Sequence, residues 1–163
     1  MPRLLSAAFL VLPVLLVAGT AQAQGVVSQR ILSLPLAKTI AEAALAECKS
    51  RGFHTSVAVL DRAGQTLVIL RDEMAGAETA EMARRKAYTA RVFRMTSWDF
   101  QKRSMDPGYA AQRNAPEILA LGGGVPIKIG EEIIGAVGSS GSSQMDDDVC
   151  AKAGVARVAD QLK

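Results

Sequence analysis

Histidine is nearly absent from this chain: His54 is the one imidazole in 163 residues. Multi-histidine zinc centres are therefore excluded, and a Ser-His-Asp arrangement would have to be built around that side chain. Neither C-x-x-C, H-E-x-x-H nor G-x-S-x-G occurs, so the common redox, zincin and hydrolase signatures are missing as well. Charge of one sign is scarce too. A net charge of +3 is too small a surplus to point to nucleic acid as a partner.

Long apolar runs are missing everywhere except at the start. Met1-Pro2-Arg3 is a short basic opening, Leu4 to Ala18 is almost uninterruptedly apolar, and Ala21-Gln22-Ala23 has the small-x-small form of a leader cleavage site. The run falls short of the ~20 residues a membrane span needs and has no basic stop behind it. The expectation is a signal peptide over residues 1–23, a short N-terminal segment over 24–33, and one domain over 34–163. The mature protein would be periplasmic or secreted, with no membrane attachment after cleavage. Export makes a disulfide between Cys48 and Cys150 permissible. Both lie in helical stretches, where cysteine behaves as a small buried apolar residue. Two buried thiols are the favoured reading, and a bridge is the alternative.

What is present reads as helix, hairpin, helix, irregular segment, hairpin, helix. From Ser33, the residues Leu36, Ile40, Ala44 and Cys48 recur at four-residue intervals, with Ser33 as N-cap, Pro35 in the first turn and Gly52 beyond the end. Thr55 to Leu60 and Thr66 to Arg71 are β-rich runs joined by Asp61-Arg62-Ala63-Gly64, a turn sequence. A second helix is expected from about Glu78 to Arg94, with Met82, Ala83, Ala87, Ala90 and Phe93 along one side. Thr96 to Pro116 is poorly periodic, contains Asp106-Pro107-Gly108, and reads as a short helix and loops. Val125 to Ile129 and Glu132 to Val137 flank Gly130-Glu131 as a second hairpin. A small-residue loop from Gly138 to Ser143 and a last helix to about Leu162 follow. The fold class is α+β, an antiparallel sheet covered by helices.

The glycines between Gly122 and Gly141 do not cradle a phosphate. They follow neither G-x-x-x-x-G-K-[ST] nor G-x-G-x-x-G. Asp146-Asp147-Asp148 at the front of the last helix would also repel an anion there. The same aspartates lack the spacing of an EF-hand loop, and Glu78 and Glu81, though close enough in sequence to meet one cation, suit a helix N-terminus; both sets read as structural. Between Arg84 and Arg113 eight basic residues face only Asp99 and Asp106, so a carboxylate-bearing ligand would be drawn to this segment. The bland reading of most of these charges is a solvated helix face. His54 is either an unliganded strand-end histidine or an axial ligand to haem iron, which needs only one imidazole. The methionines, soft gap-fillers first, are a further source of axial ligands.

Three blocks, "VAVLDRAGQTLVILRDE", "ARRKAYTARVF" and "GGGVPIKIGEEIIGAVGSSGSSQMDDDVCAKAG", resemble the signature blocks of the GlcG/HbpS family of haem-binding proteins, in the same order. The likeness runs from about Leu34 to Lys163. It implies a profilin-like three-layer α/β/α domain with an antiparallel sheet of about five strands, Val26 to Leu32 supplying the extra one. It further implies a homo-oligomer and haem as cofactor, with haem degradation or iron release in some members. By the resemblance Thr96 matches a haem-contacting threonine. The expected site then joins His54 or Thr96 at the iron, His54 being the metal ligand, to Arg94, Lys102 or Arg103 at the propionates. Two other readings stand beside this one: an enzyme or accessory protein acting on a small hydroxy acid or aldehyde in a glycolate-type pathway, and an oligomeric sensor partner without catalysis.

Overall fold

The computed structural model describes residues 25–163, so the expected signal peptide lies outside the described residues. Helix α1 spans Leu34–Ser50, strands β1 and β2 span Ser56–Asp61 and Thr66–Arg71, and helix α2 spans Thr79–Phe93. A short helix α3 (Ser97–Arg103) and a 3-10 helix (Ala110–Asn114) precede strands β3 (Gly124–Ile129) and β4 (Glu132–Ser140). Helix α4 (Gln144–Ala156) and a final 3-10 helix (Ala159–Gln161) close the chain.

The helices start where the hydroxyls are. Ser33 caps α1 through Leu36 N at 3.4 Å, Thr96 caps α3 through Asp99 N at 3.1 Å, and Ser143 caps α4 through Asp146 N at 3.2 Å. In the β1–β2 turn the Asp61 carboxylate accepts from the backbone N–H groups of Ala63 and Gln65, and Gly64 takes a φ of +82°.

All four strands are antiparallel in the order β2-β1-β4-β3. The alternation of β1 decides the layering. Val57 and Val59 join Ile40, Ala44, Val137 and Ala151 in one cluster beneath α1 and α4, whereas Leu60 joins Ala136, Ala87 and Ala90 beneath α2. Helices therefore cover both faces of the sheet. On the α2 face the approach is close enough to require glycine: a Cβ on Gly138 would collide with the Ala83 carbonyl, and one on Gly124 with the Lys86 carbonyl.

Three expectations change. Among the described residues the sheet has four strands, not about five: residues 26–32 carry no strand pairing, and Val26, Val27 and Ile31 stand exposed. The stretch from Gly138 is not all loop, because β4 runs on to Ser140, held against β1 by pairing of Ser139 with Val57 and Ser140 with Ser56. Cys48 and Cys150 are not free thiols. They form a disulfide with Cα atoms 5.4 Å apart, because the packing of α1 on α4 sets the two buried positions face to face. Helical periodicity places each cysteine on a buried stripe but carries no information about which stripes meet.

Candidate functional site

A cleft of about 290 Å³ opens between α3 and α4. Helix α3 contributes Trp98 and Lys102, one turn apart, with Thr96 at its cap. Helix α4 contributes Met145, Asp148, Val149 and Lys152, whose i, i+3, i+4, i+7 spacing puts them on one face. The Trp98 ring is seated against Gly122, where any side chain would strike it, and this gives the glycine run one of its purposes. Lys102 reaches over that ring, its Nζ 5.9 Å from the centroid and 3.9 Å from Asp99 Oδ1, and is exposed. Lys152 pairs with Asp148 at 2.6 Å, while the other Asp148 oxygen is buried without a hydrogen-bond partner among the described residues. Met145 is 66 % exposed, far more than a core methionine would be. The Thr96 hydroxyl is engaged at its cap, donating to Asp99 Oδ2 at 2.7 Å.

Of the five residues expected to hold a ligand, this cleft brings together Thr96 and Lys102. Arg94 ends α2 in the left-handed region, φ +60°, and is exposed outside the cleft lining. Arg103 is enclosed by aromatic rings, its guanidinium carbon 5.3 Å from the Phe93 centroid, 5.6 Å from Phe100 and 5.1 Å from Tyr109, and it donates to Gln112 Oε1 at 2.9 Å. It pins the irregular segment to the end of α2. His54 also stands apart from the cleft lining. Its Nδ1 lies 2.8 Å from Asp72 Oδ1, its side chain is half exposed, and the Lys49 ammonium lies 3.6 Å from the second Asp72 oxygen. The N–H of Met74, together with His54 and Lys49, holds the Asp72 carboxyl below the usual carboxylate range against the opposing effect of its burial. An imidazole fixed through Nδ1 by a buried carboxylate presents Nε2 outward, the arrangement that orients ligating histidines.

The rest of the basic segment is committed within the protein. Arg84 pairs with Glu81 and Glu117, which lowers the Glu81 pKa and raises its own; Arg85 donates to the Ile118 carbonyl at 2.8 Å and Arg91 to the Arg62 carbonyl at 2.5 Å. Glu81 is thus neutralised by Arg84 rather than poised beside Glu78 for a cation. Among the described residues no cluster of three or more His, Cys, Asp or Glu is placed to hold a metal ion.

Sequence reasoning misses one pair. Lys86, 2 % exposed, donates to Asp147 Oδ2 at 2.7 Å and to the Ser139 carbonyl at 3.1 Å, and Asp147 is itself 1 % exposed. The signal that could have found it is a lysine on the same stripe as Ala83, Ala87 and Ala90. A charge on an apolar stripe calls for a buried partner.

Residues 32–156 match the family described as "Haem degrading protein HbpS-like". The chain belongs to that family. The GlcG protein of Escherichia coli K12 is 33% identical over 110 residues, which is 68% of this chain and 81% of GlcG. The crystal structure of a Streptomyces reticuli HbpS double mutant, with two glutamates changed to aspartate, superposes with a TM-score of 0.79 at 32% identity and covers 93% of this chain and 97% of the mutant's. A PduOC:haem complex shares the HbpS-like fold, with a TM-score of 0.71 at 23% identity over 78% of this chain and 95% of its own.

Proposed function

We propose that this chain is an exported haem-binding protein and that it holds the porphyrin in the α3/α4 cleft. The observation that carries this reading is an apolar floor flanked by two lysines: Trp98, Val149 and Met145 line the cleft, with Lys102 and Lys152 beside their partners Asp99 and Asp148, which each lysine would have to leave to meet a propionate. A porphyrin needs an apolar surface for its ring, cations for its two propionates and a donor near the iron. Trp98 and Val149 would meet the ring, Lys102 and Lys152 the carboxylates, and the exposed Met145 thioether or Thr96 the iron. When bound, haem would supply redox-active iron.

The cleft is too small to enclose a porphyrin, so one ring face would be left to solvent or to a second copy of the chain, in keeping with the expected homo-oligomer. His54, oriented by Asp72, is the competing ligand position. The Cys48–Cys150 bridge supports export, since structural disulfides persist in oxidising compartments.

Hemin titrated into the purified protein should give a saturable Soret shift. Lys102→Ala combined with Lys152→Ala should weaken binding by about tenfold or more, because neither propionate would keep its charge-assisted hydrogen bond. Met145→Ala should alter the band position. If His54→Ala abolishes the shift while the double lysine variant leaves it intact, the site is at His54 and the cleft assignment is wrong. A spectrum identical to free hemin would remove haem altogether.

A further inference from the structure

A second cavity, of about 320 Å³, lies where the N-terminal turns of α2 and α4 meet the end of β4. Its size is at the lower end of the range small-molecule sites occupy. Lys86 and Asp147, the buried ion pair, form its inner wall. Ser140 and Gln144 supply a hydroxyl and an amide, the Thr79 and Ser142 hydroxyls on the same lining are engaged with Ser56, Gly76 and Asp147, and Met82 and Leu121 give an apolar flank.

The hydrogen-bonding capacity left over at this wall is what points to a ligand. The Lys86 ammonium has three N–H groups, of which Asp147 and the Ser139 carbonyl take two. Gln144 Oε1 accepts from Gly122 N at 2.7 Å, and the amide NH₂ of the same side chain remains. Ser140, only 2 % exposed, lines the same wall. Asp147 is already occupied on its other oxygen, which accepts from Ser142 Oγ at 2.7 Å and Ser142 N at 3.2 Å.

Charge selects the ligand class. Lys86 is neutralised by Asp147, and the remaining formal charge on the lining is the Glu78 carboxylate, so an anion would be repelled without compensation. A cation would face the spare Lys86 N–H. An uncharged molecule with several hydroxyl or carbonyl oxygens satisfies both limits, accepting from Lys86 and Gln144 while exchanging hydrogen bonds with Ser140.

We propose that this cavity is a binding site for a small uncharged polyhydroxylated compound, separate from the α3/α4 cleft and independent of haem. The test is titration of uniformly ¹⁵N-labelled protein with erythritol as the neutral probe and erythronate as its anionic counterpart. Erythritol should give saturable amide shifts centred on Thr79, Ser140, Gly141 and Ser142. Erythronate should bind about tenfold more weakly or worse. Ser140→Ala and Gln144→Leu, neither of which touches the ion pair, should each weaken erythritol by about threefold to tenfold, the loss of one hydrogen bond. Absence of saturable shifts at those amides, binding of erythronate as tight as erythritol, or unchanged affinity in both variants would each overturn the proposal. The haem titration has no bearing on these outcomes.

Discussion

The two faces of the sheet are held down by different means. Beneath α1 and α4 the packing is hydrocarbon, Ile40, Val57, Val59 and Val137 among it, and the helices are tied to each other by the Cys48–Cys150 bond. Beneath α2 three alanines surround Leu60, glycines admit the helix backbone, and an ion pair is buried with it. A covalently tied apolar face tolerates conservative change. A closely seated face with a buried charge does not, and the polar cavity lies on this second side.

The sharpest way to break the comparison is Lys86→Met. It strands the Asp147 carboxylate in a site 1 % exposed, and about 3–5 kcal/mol of stability should be lost. Urea denaturation would measure this, and Lys86→Met combined with Asp147→Leu should recover most of it. A loss below about 1 kcal/mol in the single variant would mean that water reaches the pair.

Next in size is removal of the bond on the opposite face. Cys48→Ala with Cys150→Ala opens a loop whose ends are 102 residues apart, and about 2–5 kcal/mol should go. The helices should keep their packing, because Ile40, Ala44 and Ala151 remain, so far-ultraviolet circular dichroism at low temperature should be unchanged. An equal loss of helicity would show that the bond, not the hydrocarbon, organises that face.

The smallest effect is on pH. Asp72 is held below its ordinary pKa first by the Met74 N–H and then by His54 and Lys49; Asp146 is held below its own by the Ser143 hydroxyl and then Arg51. The folded protein therefore binds fewer protons than the unfolded chain near about pH 4, and these groups stabilise it fully above about pH 5. That contribution is lost as pH falls through the depressed folded values. Asp72→Asn should flatten the decline in urea midpoint between about pH 5 and pH 3, and an identical decline in the variant would place the acid sensitivity elsewhere.

Most of the scaffold was legible because it is local. Ser33, Gly52, Asp61 and Gly64 mark boundaries through their own backbone preferences, and the structure places α1 and both hairpins within a few residues of where those marks fall. The errors are all non-local. Val26 to Leu32 has a strand's composition but pairs with neither edge of the sheet, β2 or β3, and nothing in either helix announces that Cys48 would meet Cys150. The site divides the same way. Thr96 and Lys102 lie close together on one short element and arrive as a pair, whereas Met145 and Lys152 reach them only because α4 folds back beside α3. Arg103 looked like a ligand because its aromatic surroundings come from three separate segments, and no one of them reveals the enclosure.

The bridge between α1 and α4 has an outcome for damaged molecules. Every strand, α2, α3 and the linings of both cavities except Lys152 fall between its two half-cystines. A backbone cut in the exposed stretch around residues 105–117 would leave two pieces that still travel as one until a reductant separates them.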